Sequence, residues 1–146
     1  MSAPALWGNV TYGYDALDNL TATTMSAGPN ARSTLHNINV STNRLNSVTN
    51  GPAGFSFGVE YDARGNVTKR GSQVYRFDLG NRMRQADGRA TYRYDGLGRR
   101  ISVVGANGIN TVYVYSQAGQ LLYAAPDGAT ATKYIYLNNH QIAEVK

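Results

Sequence analysis

Apolar and polar residues alternate with a period of two in short runs, and turn-forming residues punctuate the runs along the whole chain. Phe55, Phe57, Val59 and Tyr61 alternate with Ser56, Gly58 and Glu60, the pattern of a half-buried strand. Tyrosines recur as i, i+2 pairs at Tyr12/Tyr14, Tyr92/Tyr94, Tyr113/Tyr115 and Tyr134/Tyr136, with Tyr75/Phe77 as a mixed pair. In a strand both rings of such a pair project from one face. No segment carries a long 3.6-residue apolar period. The pattern therefore predicts an all-β chain of repeated antiparallel hairpins with little or no helix.

A turn frame closes each aromatic run. Asp15, Asp62, Asp78 and Asp95 stand directly after an aromatic residue, and Ser116 and Leu137 hold the same place in two later copies. Asp at the first turn position accepts from backbone N–H groups two residues on. Three residues further stand Asp18, Gly65, Asn81, Gly98, Gly119 and His140, types that enter the left-handed region most readily. Next comes Asn, Arg or Gln, then an apolar residue that opens the return strand (Leu20, Val67, Met83, Leu121). Arg100 breaks that rule. Steps between turn positions 15, 62, 78, 95, 116 and 137 are 47, 16, 17, 21 and 21 residues. A worn copy at 39–45, with Val40 in the aspartate place and Asn43 three residues later, splits the first step into 25 and 22. Periods near 20 residues mark repeat architectures, in which each unit buries its apolar face only against its neighbours.

A second set of turns closes the units: Asn50-Gly51, Asp87-Gly88, Asn107-Gly108, Asp127-Gly128 and Gly71-Ser72, dipeptides favoured in tight hairpins. Residues 1–10 read as a lead-in and 11–146 as a spiralling or curved array of about seven copies, degenerate at 21–53. Between the paired aromatics the intervening position is Gly13, Arg76 and Arg93 in earlier copies and Val114 and Ile135 in the last two. That apolar shift implies either deeper burial of the C-terminal units or a surface that docks onto something outside this chain.

Composition changes the picture little. The chain has 146 residues and a charged fraction of 16% with 16 glycines, which suits turns and strands and predicts one domain or array segment. No stretch approaches a membrane span, and Met1 to Trp7 lacks the basic start and apolar run of a signal peptide. Zero cysteines exclude disulfides and thiolate metal sites.

The Tyr-Asp-x-x-Gly-Asn/Arg frame, with Tyr92-Arg93-Tyr94-Asp95-Gly96-Leu97-Gly98-Arg99-Arg100-Ile101 as its fullest copy, resembles the YD-repeat, or Rhs-repeat, proteins. The resemblance runs from about residue 10 to the end and is weak over 21–53. It implies a long β-sheet that spirals into a hollow shell, in large secreted or surface-displayed bacterial proteins with relatives among animal teneurins. Within such proteins the shell encloses a C-terminal toxin, and family members have been linked to carbohydrate at cell surfaces. The family's Asp-Pro-containing terminal motif does not occur before Lys146, so the chain reads as a fragment or short relative of a scaffold that self-associates through exposed sheet edges. Localisation is expected to be extracellular or cell-surface, as part of a larger exported protein.

Chemistry offers little for catalysis. His36 and His140 are the only histidines, and four of the seven aspartates are explained by turns. Asp18, Glu60, Asp87, Asp127 and Glu144 remain without a signature joining them. Each turn brings one carboxylate, whereas a calcium site takes about six to eight oxygens. Neither an enzyme, a metal nor a cofactor is expected. Charge is more informative. The net charge is +5, and residues 64–100 hold ten of the 14 basic residues against three aspartates. Arg76, Arg82, Arg84, Arg93, Arg99 and Arg100 form a candidate anion-binding patch for anionic glycan or a cell surface, with nucleic acid a weaker candidate. Alternatively they are solvated residues that protect the sheet. The structural residues expected from the frame are the turn residues Asp15, Asp62, Gly65, Asp78, Asp95, Gly98 and Gly119. An aromatic core is expected from Tyr12, Tyr14, Tyr61, Tyr75, Phe77, Tyr92, Tyr94, Tyr113, Tyr115, Tyr134 and Tyr136.

Overall fold

A computed structural model describes residues 9–28 and 31–146; most of the lead-in, residues 1–8, lies outside them. The chain divides into two compact units, Met1–Ser72 and Gln73–Lys146. In the first, β1 (Val10–Tyr14), β2 (Leu20–Met25), β3 (Arg32–Asn39), β4 (Arg44–Thr49), β5 (Phe57–Tyr61) and β6 (Val67–Arg70) follow one another. Each pairs antiparallel with the next. In the second, β7 (Gln73–Phe77), β8 (Met83–Ala86), β9 (Ala90–Tyr94), β10 (Arg100–Gly105), β11 (Asn110–Tyr115), β12 (Leu121–Pro126), β13 (Thr132–Leu137) and β14 (His140–Val145) do the same. The all-β expectation holds. No α-helix occurs among the described residues, and a 3-10 turn at Pro52–Gly54 is the sole helical element there.

Every repeat hairpin carries a bulge at the same place. Tyr61 pairs with Val67 but Glu60 pairs with Lys69, so Thr68 is left over. Thr21, Asn46, Arg84, Ile101, Leu122 and Ile142 are the extra residues of the other six. A bulge bends its strand and increases local twist, so its recurrence one or two residues into each return strand bends every hairpin near the same place.

Burial is thin. Val48, Val59 and Ala86 are the buried apolar residues among those described, and Thr34 is buried with its Oγ1 donating to the Asn50 carbonyl at 2.8 Å. The rings of Tyr61, Tyr75, Phe77, Tyr92, Tyr94, Tyr113, Tyr115, Tyr134 and Tyr136 are half-buried. The aromatic-core expectation fails at Tyr12 and Tyr14, which are 59% and 60% exposed. Tyr61, Tyr94 and Tyr115 lean on the return strand of the preceding copy, and no strand among the described residues precedes β1.

Several local expectations are corrected. Phe55 is exposed and lies outside the strand, which begins only at Phe57. Gly51-Pro52 starts a tight 3-10 turn there, with the Gly51 N–H donating to the Phe55 carbonyl at 2.8 Å. Asn50-Gly51 is consequently part of a longer connection, not a two-residue hairpin. In the worn copy the aspartate place belongs to Asn39, whose Oδ1 accepts from the Ser41 and Thr42 N–H groups. Val40 is 97% exposed at the tip of a four-residue loop, so the spacings become 24 and 23. In the last copy Leu137 pairs directly with His140, and the left-handed residues are Asn138 (φ 48) and Asn139 (φ 66). His140 thus starts β14 instead of occupying the turn.

The apolar shift on the far face is also resolved. Val114 and Ile135 are 47% and 45% exposed, which rules out deeper burial of the last copies and leaves a bare apolar face on β11 to β14.

Candidate functional site

The residues that carry the sheet's regularity lie at its turns. Around Asp62 the Asp62 N–H donates to the Asn66 carbonyl and the Gly65 N–H to the Asp62 carbonyl, both at 3.0 Å. Gly65 has φ 90. This is a three-residue hairpin loop closed by a left-handed residue. Asp15, Asp78, Asp95 and Ser116 repeat both bonds, with Asp18 (φ 60), Asn81 (φ 59), Gly98 (φ 80) and Gly119 (φ 88) in the left-handed place. Asn107-Gly108 builds the same loop at the opposite end of a hairpin, through Gly105 and Ile109.

Each turn aspartate is used completely. One carboxylate oxygen of Asp95 accepts from the Leu97 and Arg99 N–H groups at 2.9 Å each, and the other from Arg99 Nε at 2.6 Å. Asp78 engages Gly80 and Arg82 alike. Asp15 and Asp62 take the side-chain amides of Asn19 and Asn66 at 2.9 Å in place of an arginine. Charge-favouring bonds of this kind stabilise the ionised form. The Asn19 and Asn66 side chains, then backbone N–H groups, hold Asp15 and Asp62 below the ordinary carboxyl value of 3.8. At Asp78 the Arg82 N–H leads in the same direction. Partial burial pushes Asp95 up, and the Arg99 N–H and guanidinium together outweigh it, so Asp95 is lowered too. Ser116 keeps only one such backbone bond, from the Gln120 N–H.

The residue four places after the aspartate does a second job, reaching the next copy. Arg82 Cζ lies 5.8 Å from the Tyr94 ring centroid, and Arg99 Cζ 5.5 Å from that of Tyr115. Arg44 stands likewise over Tyr61 at 5.3 Å. Arg99 also donates to the Ser116 carbonyl at 2.7 Å, Asn19 to Asn43 Oδ1 at 2.7 Å, and Gln120 to Asn139 Oδ1 at 3.1 Å. The tyrosine before the aspartate answers in the reverse direction. Tyr61, Tyr94 and Tyr115 hydroxyls donate to the carbonyls of Leu45, Met83 and Arg100, at or next to the start of the preceding return strands, at 3.0, 2.8 and 3.1 Å. Aspartate, arginine and tyrosine thus form a ladder along the turn ends within each unit. The sequence showed the repeating residues; it did not show that the fourth one bridges copies.

The six-arginine patch does not stay together. Arg76 and Arg93 alternate with half-buried rings and so point to the opposite face, where Arg76 pairs with Asp87 at 3.3 Å. Arg82, Arg84, Arg99 and Arg100 gather on the tyrosine face, all within 6 Å of a tyrosine ring centroid. Parity explains the split: the bulge at Arg84 and the turn between Tyr94 and Arg100 reset which side faces the rings.

Histidine and metal chemistry gain nothing from the fold. His36 is half-buried on β3, and its Nδ1 has no hydrogen-bond partner among the described residues. No three of His, Asp and Glu among the described residues come together to hold a metal. No helix of the described residues is long and apolar enough to cross a membrane, which leaves strands untested.

Hairpins closed by aspartate turns follow one another antiparallel within each unit, and Tyr61, Tyr94 and Tyr115 tie copies together, which makes a repeating β scaffold. Residues 7–145 match the family described as teneurin YD-shell. The chain belongs to that family. No curated protein matches it. As a YD-shell chain it is a structural, shell-type β domain, and the recurring tyrosine-aspartate frame is the family's repeat.

Proposed function

We propose that this YD-shell chain is a non-enzymatic scaffold segment of a larger bacterial Rhs-type protein that encloses a toxin for delivery outside the cell. The observation that carries the reading is the ladder. Its hydroxyls, guanidiniums and carboxylates are spent on joining one copy to the next, in the manner of a wall whose cohesion is collective. Self-association, or docking of further shell segments, takes place at the outer strands β1 and β14 and on the apolar face. In support, β14 follows all other strands of its unit in the pairing order, and Leu137, Ile142 and Val145 are exposed beside Ile135. Exposed strand edges of this kind recruit other strands. Sedimentation velocity over a wide concentration range tests the reading. Concentration-dependent association that Ile135→Lys with Ile142→Lys abolishes is the expected result, and a clean monomer at every concentration contradicts it.

A second reading, binding of anionic glycan at a cell surface, is favoured by the arginine cluster on the tyrosine face. Salt-sensitive retention on heparin, absent on neutral glycan and on single-stranded DNA, is its expected signature. Equal retention on DNA reduces it to charge alone.

A further inference from the structure

In four copies the residue paired with the aromatic before the turn is apolar (Leu20, Val67, Met83 and Leu121), in the worn copy Leu45 pairs with Ile38, and in the last copy Gln141 pairs with Tyr136. The copy at Asp95 has Arg100 there, opposite Tyr94. Arg100 Cζ lies 5.7 Å from the centroids of both Tyr92 and Tyr113, rings on the two strands that flank its own. Its side chain is exposed and has no carboxylate within ion-pair distance among the described residues. Nearby, the ring of Tyr94 is covered by Arg82 and Arg84 at 5.8 and 5.9 Å.

The local charge does not balance. Arg82, Arg84, Arg99 and Arg100 contribute +4, and Asp78 and Asp95 contribute −2, leaving +2. Both aspartates are already engaged, by the N–H groups of their turns and by Arg82 and Arg99. Arg84 keeps only a 3.9 Å approach to Asp78. Arg100 is therefore the cation with no counterion. A guanidinium held against aromatic rings retains an in-plane edge of N–H donors that suits an oxyanion. The phenols of Tyr92 and Tyr113 make no hydrogen bond among the described residues, so two further O–H donors stand on the same face.

We propose that Arg100, with the Tyr92 and Tyr113 hydroxyls, forms a binding site for a tetrahedral oxyanion of the phosphate or sulfate type, as the free ion or as a monoester. The site is discrete, unlike a broad polyanion surface, because Arg76 and Arg93 face the other way. It stands independently of the scaffold reading.

Isothermal titration of the full chain at fixed ionic strength tests the proposal, using inorganic phosphate for the free ion, methyl phosphate for the ester, and acetate as a carboxylate comparison. Arg100→Leu restores the apolar type that Leu20, Leu45, Val67, Met83 and Leu121 hold in five other copies and so keeps the fold; thermal unfolding checks that it does. The expected result is phosphate binding that weakens at least tenfold in Arg100→Leu and is kept in part by Arg100→Lys. Arg93→Leu, which removes the same charge from the opposite face, leaves it unchanged. Equal weakening by Arg93→Leu, undiminished binding by Arg100→Leu, acetate binding as tightly as phosphate, or no binding by the unmodified chain each overturns the proposal. Binding of methyl phosphate without inorganic phosphate assigns the site to esters, and the converse to the free ion.

Discussion

Tyr94→Phe removes one hydroxyl and keeps the ring, so it separates the hydrogen bond that joins two copies from the packing around it. The lost bond is the 2.8 Å donation to the Met83 carbonyl; Arg82 and Arg84 keep a ring to cover. A typical intramolecular hydrogen bond contributes about 0.5–1.5 kcal/mol net. In a chain of this length a loss of about 1 kcal/mol lowers the melting temperature by about 2–4 °C. Tyr92→Phe is the internal control. It sits two residues away on the same strand and face, but its hydroxyl has no partner among the described residues, so its removal is expected to cost less than about 0.5 kcal/mol, as ordinary surface changes do. Urea unfolding of the three proteins, followed by far-UV circular dichroism, measures both differences. Equal effects of the two substitutions, or a neutral Tyr94→Phe, would refute the bridging role of that hydroxyl.

The same turn and ladder geometry has other consequences. Gly98→Ala places a side chain at φ 80 and is expected to cost about 1–2 kcal/mol. Gly96→Ala two residues earlier has open space within 4 Å and an ordinary φ, so thermal melts should show it neutral or stabilising by up to about 1 kcal/mol. Asp62→Asn keeps an oxygen for the Arg64 and Asn66 N–H groups, as Asn39 does in its own turn; it should destabilise less than Asp62→Ala, and the reverse order in a urea titration would count against the capping role. Stability should also fall in acid. Asp15, Asp62, Asp78 and Asp95 all sit below the ordinary value of 3.8 when folded. Their contribution is then fully present above about pH 5 and is lost as pH falls through 3.8 towards the lower folded values. Urea midpoints that stay flat from pH 7 to pH 3 would contradict this.

Much of the fold was written in residues with strong local preferences. Aspartate followed three places later by glycine or asparagine identifies the turn because few other residues accept φ near +60 to +90, and the aromatic pairs identify one strand face. What escaped the sequence depends on pairing. The bulges at Thr21, Thr68 or Arg84 have no residue signature, since an unpaired residue is defined only by its partner strand. Each shifts the alternation by one, which is why six arginines that look contiguous along the chain end on two faces. Asn39 was missed because its loop is one residue longer than the frame, and Asn138-Asn139 because the last loop is shorter. The exposure of Tyr12 and Tyr14 came from position in the sheet, not from residue type: the same pair two strands further on would have a return strand beneath it.

Hydrogen exchange on Asp95→Ala, read amide by amide, tests the collective claim most directly. Loss of the carboxylate frees Arg99, which otherwise covers Tyr115 and holds the Ser116 carbonyl. Faster exchange should therefore spread beyond β9 and β10 into β11 and β12, with Tyr115 and Ser116 among the amides affected. Exchange that quickens only between Tyr94 and Arg100 would mean that each hairpin stands alone.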